Sequence, residues 1–140
     1  MASNISNKEG ATTATIIRFT DEKIQFPPIF IETLGNNPAL TVLHFKDRVM
    51  KIFPVSSDNI YMLRIEIADI SRNFLKQLNY AFNDAHLSDI IFTTGVCLRG
   101  EKCYYEAYFI PDQLSVSISE FEKMLNNIEG VSKVTLKKVE

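Results

Sequence analysis

From residue 60 onward the spacing of apolar residues switches repeatedly between two periods, and this limits the fold more than any other feature. Residues 60–67 (IYMLRIEI) alternate, with Tyr61, Leu63, Ile65 and Ile67 on one face and Arg64 and Glu66 on the other. That period of two predicts a half-buried strand. Residues 71–85 place Phe74, Leu75, Leu78, Ala81 and Phe82 at helical spacing, with Ser71 as N-cap. Residues 89–98 (DIIFTTGVCL) and 102–110 (KCYYEAYFI) read as strands around an Arg99-Gly100-Glu101 turn. Residues 117–129 read as a second helix. Ser117 and Glu120 form a capping box, Ile118, Phe121, Leu125 and Ile128 an apolar stripe, and Gly130 the stop. VSKVTLKKV supplies the last strand. The order is β-α-β-β-α-β, that of the split βαβ motif.

The residues before 60 follow another pattern. TIIRF (15–19) reads as a strand, TDE as a turn and KIQF (23–26) as a second strand. Pro27 lacks an N–H and suits a strand end, and Pro28 suits a first helical turn. PIFIETL (28–34) has room for one or two helical turns before Gly35 and Pro38 stop it. ALTVLHF (39–45) and RVMKIFPV (48–55) then read as strands joined by a Lys46-Asp47 hairpin turn. Residues 56–59 (SSDN) are polar and turn-forming, the best linker. The chain therefore divides into a small polar tail expected to be disordered (1–14), a first domain (15–55), a linker (56–59) and a second domain (60–140). The first domain is too small to bury its own core, and its helix is too short to stand alone. Both points call for a second chain.

Composition narrows the function. Hydrophobic residues are 46% and charged residues 23% of the 140, enough to fold and bury a core. The net charge is −2. Residues 1–56 hold six cations against five anions, and residues 57–140 nine against twelve. Neither half is strongly basic, so a phosphate-binding surface must be local. No apolar run approaches the roughly 18 residues of a membrane span. The tail lacks the apolar segment of a signal peptide. A cytoplasmic protein with no membrane partner is expected.

Candidates for chemistry are few. Cys97 and Cys103 lack zinc-site spacing and are expected to be reduced, small and semi-buried. His44 and His86 have no neighbouring ligand set. His86, with Asp84, sits where a helix end favours a cation. No Gly-rich phosphate loop, HExxH or supported Ser-His-Asp order occurs. The chain is expected to be no enzyme and to need no metal or cofactor. Tyr104, Tyr105, Tyr108 and Phe109 crowd one strand. Aromatic stripes can stack single-stranded nucleic acid, but without interleaved Lys and Arg, core and dimer packing is the better reading.

Residues 15–55 resemble the AbrB/MazE/SpoVT swapped-hairpin family. The resemblance rests on Lys23-Ile24-Gln25-Phe26-Pro27, on Ile31 to Leu34-Gly35, on Val42 to Phe45, and on Val49 to Pro54-Val55. It implies a β-barrel built by two interleaved chains, hence a homodimer, and DNA contact through Arg18 and Lys23. Lys46 and Arg48, with Lys51, are the secondary DNA candidates on the later hairpin. Asp21 and Glu22 depart from the pattern and repel phosphate beside Lys23. Two cations per chain, doubled, give about four phosphate contacts and a binding that fades with salt.

Residues 60–140 resemble the ACT domain, a ferredoxin-like regulatory module that often binds amino acids. The element order fits throughout, and IEGVSKVTL is similar to the family's last helix-to-strand passage. The resemblance implies a ligand loop at Asp69-Ile70-Ser71-Arg72-Asn73. The aspartate is kept, but Ser71 and Arg72 stand where the family commonly has Pro-Gly, which places a side chain where a ligand's backbone would approach. Arg72 offers a carboxylate partner in return.

The expectation is thus an α+β protein, a dimeric swapped-hairpin barrel followed by a ferredoxin-like βαββαβ ACT-like domain. Its function would be transcription regulation: DNA binding by the first domain and sensing of a small effector, such as an amino acid, by the second. Pairing of dimers into a higher homo-oligomer stays open. The rival is a non-enzymatic dimeric scaffold that binds neither DNA nor effector.

Overall fold

The computed structural model describes residues 14, 16, 23–35, 37–97 and 102–140. They form an α+β protein with three helices and six strands in two antiparallel sheets. The chain separates into two compact units, Met1–Ser56 and Ser57–Glu140.

In the first unit, helix α1 spans Pro28–Leu34. Pro28 opens it because the first-turn N–H it lacks has no helical partner. Gly35 closes it at φ 67°, with its N–H donated to the Glu32 carbonyl. None of its residues is buried. Strands β1 (Ala39–His44) and β2 (Val49–Pro54) pair antiparallel, from Ala39 opposite Pro54 to His44 opposite Val49. Leu40, Val42 and Val55 are the buried residues of this unit among those described. The connection is a four-residue loop, 45–48, rather than a two-residue turn, and Arg48 takes a left-handed φ of 55°. The expected strand at 23–26 is irregular. A strand needs a ladder partner, and the described residues provide none there. The strand expected at 15–19 falls almost wholly outside the described residues.

In the second unit the order is β3 (Tyr61–Ile67), α2 (Arg72–Asp84), β4 (Ile90–Cys97), β5 (Cys103–Phe109), α3 (Ile118–Asn126) and β6 (Val131–Lys138). The strands lie in the order β4-β5-β3-β6, all neighbours antiparallel. β5 therefore sits between the two strands that α2 connects, as a split βαβ requires. Helices α2 and α3 each begin at a serine. Ser71 Oγ accepts the Phe74 N–H at 3.2 Å, and Ser117 Oγ accepts the Glu120 N–H at 3.1 Å.

The core lies on one face of this sheet. Leu63, Ile65 and Ile67 of β3 and Ala107 and Phe109 of β5 meet Phe74, Leu78, Ala81 and Phe82 of α2 and Phe121 and Leu125 of α3. Phe121 stands edge-on to Phe109, ring centroids 6.0 Å apart, and is tilted against Phe82 at 6.0 Å. Leu75, expected on the apolar stripe of α2, is 55% exposed. It lies at the stripe's margin, where the sheet no longer reaches. α3 ends at Asn126, short of the expected 129, although Ile128 is still buried.

Two stability changes test this account. Phe121→Ala should cost about 3–5 kcal/mol, because a fully buried ring leaves a cavity between sheet and helices. Gly130→Ala should cost about 1–3 kcal/mol or more. Gly130 has φ 91°, and a Cβ there would stand 2.5 Å from the Asp69 carbonyl oxygen. Urea unfolding of the full chain measures both.

Candidate functional site

The DNA candidates occupy two separate places within the first unit. Lys23 is exposed in the irregular stretch before α1. Lys46 and Arg48 share the β1–β2 loop, both exposed. Arg18 lies outside the described residues. Around that loop the surface is apolar: Phe45 is 85% exposed, Leu43 54%, Val49 44% and Met50 39%. These four, with His44 and Arg48, line a shallow open groove. The sequence showed the strands, but not that this end of the hairpin would stay uncovered. Covering is a tertiary property, and an alternating strand always offers one face that something must bury.

The expected ligand loop connects β3 to α2. Asp69, Ile70, Ser71, Arg72 and Asn73 are all exposed, and the structure keeps them together as a loop leading into a helix N-terminus. Much of the loop's bonding capacity is already engaged. Ser71 Oγ is taken by its cap, and Asn73 Nδ2 donates to Glu129 Oε2 at 3.3 Å. The Ala68 N–H donates to the Gly130 carbonyl at 2.8 Å. The Asp69 carbonyl lies so close to Gly130 that no Cβ fits between them. The Glu129 N–H in turn donates to Gln77 Oε1 at 3.0 Å. The loop is thus fastened to the 129–130 turn. Its charged groups are the Asp69 carboxylate and the Arg72 guanidinium, neither of them ion-paired among the described residues.

The tyrosine-rich strand divides by alternation. Tyr105 and Phe109 turn to the helices, where Tyr105 packs on Phe82 at 6.2 Å. Tyr104, Glu106 and Tyr108 turn to the opposite face. There Arg64 Nη2 pairs with Glu106 Oε2 at 3.5 Å, with the two residues directly opposed on β3 and β5. Tyr108 stacks at a tilt with Phe92 of β4, centroids 6.4 Å apart, and opposes the buried Met62. Burial pushes the Tyr108 phenol above its ordinary range; the Glu106 charge adds to this, and Arg64 works against it.

The cysteines depart from expectation. Cys97 and Cys103 are joined in a disulfide, not left as two reduced thiols. They are directly opposed in the β4–β5 register, with Cα atoms 4.0 Å apart. A signal existed: the two positions are equidistant from Gly100, the centre of the expected turn. His86, beyond the end of α2, is exposed with φ 59° and donates its N–H to the Asn83 carbonyl. Among the described residues no group of three or more His, Cys, Asp or Glu is placed to hold a metal, and no helix is long and apolar enough to cross a membrane.

No protein-family model matches this chain, and no curated protein does either.

The Tyr108 environment makes an alkaline prediction. With its pKa raised in the fold, the native state keeps a proton that the unfolded chain releases near pH 10. The associated stability is whole below about pH 10 and is lost as pH rises through the folded value. Tyr108→Phe should flatten that alkaline loss and remove phenolate absorbance at 295 nm that develops above the ordinary tyrosine range.

Proposed function

We propose that the chain is a non-enzymatic homodimeric regulator of the swapped-hairpin type, whose first unit is where two copies join. One observation carries this: Leu43, Phe45, Val49 and Met50 stand exposed at one end of a two-stranded hairpin. An isolated two-stranded hairpin is at best marginally stable in water. A second copy laid over this end would remove the apolar surface from solvent and give the irregular 23–26 segment a strand to pair with. Isologous contact of this kind is the commonest route to a dimer.

The same dimer would double Lys23, Lys46 and Arg48 into a surface able to meet DNA phosphates. Lys46 and Arg48 have no ion-pair partner among the described residues, so neutralising them costs no existing bridge. The second unit is then the regulatory half. Its element order and β4-β5-β3-β6 sheet suit a ferredoxin-like, ACT-like domain. Arg72 and Asp69 are the groups offered to the carboxylate and ammonium of an amino-acid effector. A ligand there would regulate only by binding one arrangement of the dimer better than another.

A second reading has its own support. The loop carrying Lys46 and Arg48 is rimmed by apolar side chains rather than by further cations, and the chain is acidic overall. That favours an assembly protein that binds no DNA.

Light scattering after gel filtration should show a dimer at micromolar concentration, and Phe45→Glu with Met50→Glu should give a monomer. A parent that is monomeric at those concentrations defeats the proposal. Fluorescence anisotropy with duplex DNA then separates the two readings. DNA binding predicts affinity falling steeply with salt. The log–log slope should become shallower by about 0.9 for each phosphate that Lys46→Glu or Arg48→Glu leaves unneutralised. Absence of binding at the lowest salt leaves the assembly protein.

A further inference from the structure

The Cys97–Cys103 bond lies where the fold has little need of it. The fully buried side chains of the second unit, Leu63, Ile65, Phe74, Phe109, Phe121 and Leu125, hold sheet to helices without it. β4 and β5 are already paired along their length. The bond joins residues only six apart, so it removes little freedom from the unfolded chain compared with a long-range crosslink. Cys97 is the last residue of β4, an edge strand, and is exposed. Cys103 begins β5 and is half-buried at the margin of the core. An exposed, structurally dispensable disulfide is of the exchangeable kind.

We propose that Cys97–Cys103 is a reversible thiol–disulfide exchange site, taking a dithiol reductant at Cys97, the exposed residue of the pair. A thiolate of the dithiol attacks Cys97 Sγ. The Cys97–Cys103 bond breaks, a mixed disulfide forms on Cys97, and Cys103 leaves as a thiolate that takes up a proton. The reductant's second thiolate then attacks its own sulfur in the mixed disulfide and releases Cys97 as a thiolate, which is protonated in turn. Two electrons pass to the protein, and the dithiol ends as a disulfide.

The place of the pair gives the exchange a consequence. Cys97 opposes Cys103, Cys103 opposes Ile67, and Ile67 opposes Val131, so one row crosses all four strands. This row is the last before the β3–α2 loop. Its next bond is the Ala68 N–H to the Gly130 carbonyl, beside the tight Asp69–Gly130 contact. Opening the disulfide leaves the terminal β4–β5 pair held by backbone bonds alone, so loosening starts at Cys97 and passes through Cys103 to Ile67 at the end of β3. Redox state then sets the order of the segment from Ile67 to Asp69.

The test uses the full-length protein, oxidised in air and checked by intact mass. Dithiothreitol is added without denaturant, samples are quenched with iodoacetamide, and global unfolding is timed separately by urea jump. Both cysteines should become alkylated together, at least about tenfold faster than global unfolding, as opening of a local segment allows. After the dithiothreitol is removed, oxidised glutathione should restore the original mass. Amide exchange at Ile67–Asp69 should rise about tenfold on reduction while that of Leu125 stays unchanged. A Cys97→Ser/Cys103→Ser chain should show the reduced pattern with or without reductant. Opening only at the global unfolding rate overturns the proposal, as does native protein whose two thiols oxidised glutathione cannot join. Reduction with no change at Ile67–Asp69 overturns the coupling to β3.

Discussion

The edge-to-face meeting of Phe109 on β5 with Phe121 on α3 ties the sheet of the second unit to its helical layer, and much else hangs on it. Neither α2 nor α3 is long enough to persist in water alone. Each is helical because its apolar face is held against β3 and β5. With α3 docked, its C-terminal turn brings Gly130 back to the end of β3, where Asp69 leaves the sheet. With α2 docked, Ser71 and Asn73 are placed to bond Phe74 and Glu129. The loop read as a ligand site is thus shaped by the core packing of the strand and helices that flank it.

The first unit is the reverse case. It offers a seven-residue helix with no buried side chain and a single hairpin with an apolar end in solvent. Among its described residues Phe26 packs on Phe30, ring centroids 5.6 Å apart, a pair close in sequence rather than one that joins two layers. Association of two copies is the completion proposed for this unit, and the DNA contact proposed for its cations depends on it. The exposed Phe45 shares the 45–48 loop with Lys46 and Arg48.

The halves differed in how much could be read from their residues. In the second unit, Ser71 and Ser117 announced both helix starts, and Gly130 the position where the chain must turn left-handed. Strand alternation separated Leu63, Ile65 and Ile67 from Arg64. In the first, Pro28 and Gly35 bracketed α1 to the residue, because proline and glycine act through their own backbones. The KIQF strand misled: its alternation was genuine, but a strand exists only with a neighbour. Leu75 misled similarly, since helical spacing locates a face without saying how wide the opposing sheet is.

In the second unit, local chemistry in the sequence was enough to determine the kinds of element, their order and most of their ends, since caps, glycines and apolar periods act over a few residues. It also placed the candidate loop 69–73 before a helix. The tertiary structure alone decided which residues meet: Arg64 with Glu106, Gly130 with Asp69, Cys97 with Cys103. It also decided that Tyr108 would be partly withdrawn from water while Phe45 would not. These outcomes depend on strand register and on which faces are covered, and both are set by the simultaneous burial of side chains far apart in the chain. No short stretch of residues carries that information.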